Sequence, residues 1–194
     1  MKVVIIKYNA GNIRSVLFAL ERLGFNAVVT DDPSLIRKAD KVIFPGVGEA
    51  SSAMSYLQKH GLDHVILSLK QPVLGICLGM QLLCDFSEEN QTGCLGIIKQ
   101  HIKQFPRLGL KIPQIGWNDI YGLKGPLFNQ VPDHSYVYFV HGYYAPLSEY
   151  SLASVHYMIQ YSAALWKDNF FAVQFHPEKS GDVGQQILTN FLSL

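Results

Sequence analysis

Cysteine is scarce in this chain of 194 residues: there are three, with no CxxC pair, so neither a disulfide framework nor a cysteine zinc site is indicated. An excess of one charge sign is lacking too. Lys and Arg number 16 against 15 Asp and Glu, a formal net charge of +1, which supplies no field for gripping nucleic acid or an anionic membrane. Long apolar runs are missing, and nothing approaches the roughly 18 uninterrupted apolar residues of a membrane span. The first run, Val3-Val4-Ile5-Ile6, is too short for a signal h-region and is closed by Tyr8-Asn9. Disorder is excluded by a hydrophobic fraction of 48% against 16% charged residues. The length suits one compact domain over residues 1–194, expected to be cytoplasmic.

What is present is an alternation of short apolar runs with helical patterns. Val3-Val4-Ile5-Ile6 is unbroken apolar, as a strand buried on both faces requires. Ile13, Val16, Leu17, Leu20 and Leu23 then recur at helical spacing up to Gly24. Strands are expected at Ala27-Val28-Val29-Thr30, Lys41-Val42-Ile43-Phe44 and Pro72-Val73-Leu74-Gly75-Ile76. Asp32-Pro33 reads as an N-cap with proline opening a helix. A helix over residues 49–60, a short one before Gln71-Pro72 and another directly after Cys77 complete the first half. This order predicts an α/β fold: an open, mostly parallel sheet with helices on both faces. Residues 136–140, 154–160 and 170–175 alternate or are aromatic-rich, and predict a partly antiparallel C-terminal extension of that sheet. Residues 183–194 form a closing helix with Ser180 as its expected cap.

Gly75-Ile76-Cys77-Leu78-Gly79 has the form G-x-C-x-G at a strand-to-helix junction, the cysteine version of a nucleophile elbow. A sharp turn lifts the nucleophile above the sheet, and the glycines let neighbouring backbone pass close. At a helix N-terminus Cys77 is favoured as thiolate, and the N–H of Leu78 is placed to hold an oxyanion. The competing explanation is an inert buried cysteine at a strand end, where most free cysteines lie.

A cysteine nucleophile needs a base, and the base needs an orienter. His176-Pro177-Glu178 follows the run 170–175. Pro177 disfavours helix at His176, so the tripeptide is expected extended, with Glu178 on the same side as the imidazole. His60, His64, His101 and His134 have no carboxylate at a comparably constrained offset, and no HExxH-type spacing suggests a metal. Pro45-Gly46-Val47-Gly48 lacks the third glycine of a dinucleotide fingerprint. At the carboxyl end of a strand it is expected to face Cys77, with the peptide between Val47 and Gly48 giving the oxyanion a second N–H. Gly48 is the expected pivot.

Taken in order, PGVGEA, GICLGMQLL and FHPEKS resemble the triad, or class I, glutamine amidotransferases over nearly the whole chain. Within that family, Tyr8-Asn9-Ala10-Gly11-Asn12, Ile115-Gly116-Trp117-Asn118, Tyr138-Phe139-Val140-His141 and His176-Pro177-Glu178-Lys179-Ser180 are similar to the glutaminase subunits of imidazole glycerol phosphate synthases. The resemblance implies hydrolysis of glutamine by Cys77, His176 and Glu178, with no cofactor. It implies that Gln81 and Glu89, with backbone near Gly142 and Tyr143, hold the amino-acid end of the substrate. It further implies a heterodimer with a (β/α)₈-barrel cyclase that receives the ammonia, with Asn12, Trp117, Tyr138 and Lys179 at positions facing it. Gly142 stands where the family usually has Ser or Thr, Gln114 replaces a common His, and Cys84 a common aromatic. These departures leave open a paralogue feeding another synthase, such as one in amino-sugar assembly. A stand-alone cysteine hydrolase is the other alternative.

Overall fold

The computed structural model describes residues 1–9 and 12–194. Ala10 and Gly11, the centre of the first loop, lie outside the described residues. The first half runs β1 (Val3–Ile6), α1 (Ile13–Arg22), β2 (Ala27–Thr30), α2 (Pro33–Arg37), β3 (Lys41–Gly46), α3 (Ala50–Lys59), α4 (Leu62–Leu67), β4 (Val73–Cys77) and α5 (Leu78–Leu83). The second half continues with β5 (Phe86–Ser87), β6 (Thr92–Gly93), β7 (His101–Gln104), β8 (Gln114–Tyr121), β9 (Ser135–His141), β10 (Tyr143–Tyr144), β11 (Ser151–Tyr157), β12 (Ile159–Lys167), β13 (Phe170–Val173) and α6 (Gly181–Leu192).

Among the described residues, nine strands form one sheet in the order β2-β1-β3-β4-β13-β12-β11-β8-β9. The strands from β2 to β13 in that order are parallel, and the rest pair antiparallel. The parallel centre explains the unbroken apolar runs. Every residue of β1, β3, β4 and β13 is buried, with helices or packed loops over both faces. Alternate residues feed the two sides: Val4 and Ile6 pack into one core, Val3 and Ile5 into the other. Edge strand β2 alternates instead, and leaves Val28 exposed. The Asp32 cap is formed as expected, Oδ1 accepting from the N–H groups of Ser34 (2.7 Å) and Leu35 (3.3 Å).

Two local expectations are corrected, and one sheet was not expected. The run 154–160 is not one strand. It reverses at Met158, whose φ of 62° puts a bulky residue in the left-handed region, and splits into the β11–β12 hairpin with Tyr157 opposite Ile159. Ser180 begins α6 without capping it, because its hydroxyl is used elsewhere. A second, four-stranded sheet, β10-β7-β5-β6, has strands of two to four residues and no periodicity to announce it.

Chain direction in the parallel strands decides where the chemistry gathers. Tyr8, Val47 with Gly48, and His176 follow the carboxyl ends of β1, β3 and β13, and Cys77 is the last residue of β4. β13 lies beside β4 with Val173 opposite Ile76, so the chain three residues beyond β13 comes out next to Cys77.

Candidate active site

Cys77 has φ 54° and ψ −109°, a conformation that suits glycine and strains any L side chain. The strain is held by the packing of α5 on the sheet. A Cβ on Gly79 would collide with the carbonyl oxygen of Phe44 in β3, and one on Gly75 would stand 2.7 Å from Leu83 Cδ1 and 3.0 Å from the Gly79 backbone. Both glycines of the motif are therefore required by close approach. α5 is only six residues long, so its dipole adds less to the thiolate than a long helix does.

His176 and Glu178 meet by a different route from the one expected. His176 is extended (φ −101°, ψ 95°), but Pro177–Lys179 turns as a 3₁₀ helix closed by Lys179 N–H donating to the His176 carbonyl (3.0 Å). The turn carries the Glu178 carboxylate back to the ring, where Oε1 accepts from Nδ1 at 2.8 Å. Asn12 donates Nδ2–H to the same oxygen at 2.6 Å. Its carboxamide is thus committed to the His176–Glu178 pair. Ser180 Oγ donates to the His176 carbonyl (2.6 Å) and accepts from Tyr138 N–H (3.0 Å), tying the histidine to β9.

Both side chains of the pair are 1% exposed. With Nδ1 donating to Glu178, Nε2 is left buried and without a hydrogen bond. Burial lowers the pKa of His176, but interactions with Cys77 and Glu178 outweigh it and hold the imidazole raised to about 10. Cys77 Sγ lies 3.7 Å from the Val140 carbonyl, with His176 near enough to act on it.

A group whose folded pKa lies above its unfolded value stabilises the fold most below the unfolded value, near 6.5, and loses that contribution as pH rises through the folded one. Glu178→Gln keeps the shape and removes the charge. Its stability deficit is expected to be about 2 kcal/mol near pH 6 and to shrink as pH approaches 10. Denaturant melts of both proteins across that range check it, and a deficit that grows with pH would contradict the pairing.

A cleft of about 330 Å³ opens above Cys77, the size of a small-molecule site. Val47, Gly48 and Leu78 from the expected oxyanion site line it, as do Gln81, Glu89, Gly142 and Tyr143 from the expected substrate site. Gly48 has φ 107°, accessible only to glycine without strain. Glu89 reaches the cleft from the 3₁₀ turn between β5 and β6, and its Oε2 accepts from Ala50 N–H (2.7 Å) at the start of α3. Burial raises its pKa, the Ala50 hydrogen bond opposes this, and the charge of Glu49 adds to the rise. Glu89 is the carboxylate among the residues lining the cleft. A Cβ at Gly142 would stand 3.7 Å from Ile112 Cγ2, so the missing hydroxyl reflects the sequence and not a lack of room.

Three features escaped the sequence. Gln174 is fully buried and touches both Gln81 and Cys77; its signal was a polar residue inside the apolar run 170–175. His141 is buried with Nδ1 donating to the Tyr143 carbonyl (2.7 Å), and burial lowers its pKa to about 4, so it is neutral. His134, just ahead of β9, pairs with Asp119 of β8 at 2.7 Å, but that pair is exposed and the His134 ring stacks on Tyr121. Exposure, not pairing alone, separates it from His176. Among the described residues no three His, Cys, Asp or Glu side chains gather as metal ligands.

Residues 4–194 match the family model for glutamine amidotransferase class-I. The chain belongs to that family. This amidotransferase is 58% identical over the whole length of both chains to the imidazole glycerol phosphate synthase subunit HisH of Bacteroides fragilis, and 46% identical, again over both full lengths, to the protein of that name from Buchnera aphidicola. Its fold matches a crystal structure of a glutamine amidotransferase with TM-score 0.77 at 19% identity, covering 100% of this chain and 98% of the other. The structure of PurLQS from Thermotoga maritima gives 0.74 at 18% identity, covering 99% of this chain and 97% of the other. The last two establish the architecture. No helix among the described residues of the amidotransferase is long and apolar enough to cross a membrane.

Proposed function

We propose that this chain is the glutaminase subunit of an imidazole glycerol phosphate synthase, acting as one domain over residues 1–194 in the cytoplasm. The observation that carries the chemistry is a strained cysteine on the floor of the cleft backed by a buried His176–Glu178 pair. The full-length likeness to the HisH subunits supports the pathway.

In this scheme Glu89 and Gln81, with the backbone at Gly142 and Tyr143, hold the amino-acid end of glutamine. Cys77 Sγ attacks the side-chain carboxamide carbon. The oxyanion is held by Leu78 N–H and the peptide between Val47 and Gly48. The C–N bond breaks as His176 Nε2 gives a proton to the departing ammonia, leaving a γ-glutamyl thioester. Water then attacks that thioester, His176 takes its proton, and glutamate leaves while Glu178 keeps the ring oriented.

The ammonia passes to a (β/α)₈-barrel cyclase, which uses it on a phosphoribosyl substrate to give imidazole glycerol phosphate and an aminoimidazole carboxamide ribotide. Edge strand β9 and its neighbour β8 present exposed Ile115, Trp117 and Tyr136 as the docking face. Lys179 Nζ lies 5.8 Å from the Tyr138 ring centre, and Trp117 meets the same ring edge-on at 6.0 Å. Because Tyr138 main chain also holds His176 and Ser180, docking on β9 bears directly on the base.

The test is glutamate release from glutamine with and without the barrel cyclase carrying its phosphoribosyl ligand. Slow release alone and strong stimulation by the complex is the expected result, with less stimulation for Lys179→Ala. Full activity alone with no response would point to a free-standing hydrolase or to another synthase.

A further inference from the structure

Gln174 follows β13, two residues before His176, and its side chain is fully enclosed. The hydrogen bonds around it form a chain in which each amide orientation is forced by the one before. The Tyr143 carbonyl can only accept, so the Gln81 side-chain atom facing it at 3.2 Å is the donor nitrogen. That nitrogen also lies 2.9 Å from Gln174, so the Gln174 atom facing it is the carbonyl Oε1. The opposite arm of the Gln174 carboxamide is therefore its NH₂ group, and it lies 3.7 Å from Cys77 Sγ. A backbone carbonyl thus sets, through two glutamines, which end of an amide meets the nucleophile.

We propose that Gln174 serves the nucleophile directly, its carboxamide N–H donating to Cys77 Sγ and stabilising the thiolate. The inference rests on Cys77 being the nucleophile of the proposed reaction. A neutral donor favours the ionised sulfur without adding a charge that would compete with His176. It also stays in place through the catalytic cycle: it gives no proton away, whereas His176 must. The chain ties thiolate stabilisation to substrate binding as well, since Gln81, which orients Gln174, lines the cleft. The other ionisable groups acting on the sulfur are Tyr8 beyond β1 and His176 beyond β13, the latter backed by Glu178. Of these, buried Tyr8 stays a neutral phenol, because burial and the nearby Cys77 both push its pKa up.

The experiment is the pH profile of Cys77 alkylation by iodoacetamide, followed by mass spectrometry at that site. Cys84 and Cys94 do not interfere, since burial holds both thiols protonated, Cys94 up to about 12. Gln174→Leu is expected to move the alkylation midpoint up by about one pH unit and to lower kcat about tenfold. Gln174→Met, similar in length and without a donor, is expected to move it by a similar amount. A purely structural Gln174 would alter melting temperature and KM while leaving the midpoint in place, and that result overturns the proposal. Should the variants fold poorly, the unsubstituted protein decides. Its Gln174 side-chain N–H signals in ¹H–¹⁵N spectra should titrate with the Cys77 midpoint and cease to do so in Cys77→Ala. Signals that ignore the cysteine overturn the proposal too. Neither readout needs glutamine turnover, so a failure of the glutaminase reading itself would show separately, as unchanged glutamate release by Cys77→Ala.

Discussion

Cys77→Ala is expected to lower glutamate release by about 10³-fold or more, because the covalent route disappears and only binding and the oxyanion donors remain. The same position makes a second, opposite forecast about stability. At φ 54° and ψ −109°, alanine is as strained as cysteine, so Cys77→Ala should melt close to the unsubstituted protein. Cys77→Gly should melt higher. Relief of such strain is worth about 1–3 kcal/mol, and loss of the buried sulfur and methylene returns about 1 kcal/mol of it. A net gain near 1 kcal/mol is about 2–4 °C for a chain of this size. Paired glutamate-release assays and thermal melts check both. A Cys77→Gly protein that melts lower would mean the elbow is not strained, and a fully active Cys77→Ala would remove the nucleophile from the scheme.

Gly79→Ala is expected to produce the largest loss of stability. The added methyl meets the Phe44 carbonyl oxygen, and the carbonyl carbon 3.0 Å away, both backbone atoms of a strand buried between its neighbours. No rotamer change relieves a backbone collision, so α5 must lift off the sheet, at a cost of about 3 kcal/mol or a fall of about 6–12 °C in melting temperature. The lift also moves Leu78 and Cys77, so activity should fall with stability. Gly93→Ala is the control. It has open space and an ordinary φ, and should stay within about 1 kcal/mol. Equal melts for the two variants would show that Gly79 is not held by close approach.

The site was legible in the sequence where its geometry is local. G-x-C-x-G spans one strand-to-helix turn, so five residues announce both the strained cysteine and the reason for its glycines. His176 and Glu178 are two apart, and their meeting was anticipated even though a 3₁₀ turn, not strand alternation, brings it about. Asn12 is the counter-example. It lies 166 residues from Glu178, and no local pattern says that its amide ends on that carboxylate. Ser180 carries the same lesson: as a serine ahead of a helix it reads as a cap, yet in the fold its hydroxyl joins His176 to Tyr138.

The amino-acid sequence by itself determined the parallel half of the sheet, since strands buried on both faces must be continuously apolar and helices between them must repeat at 3.6 residues. It also determined the cysteine, histidine and glutamate, because their chemistry demands particular residue types at short spacing. Only the tertiary structure decided the break at Met158, the small sheet that brings Glu89 to the cleft, and the path from the Tyr143 carbonyl through Gln81 and Gln174 to Cys77. Those depend on contacts between residues far apart in the chain, where burial forces each polar group to find whichever partner the fold sets beside it.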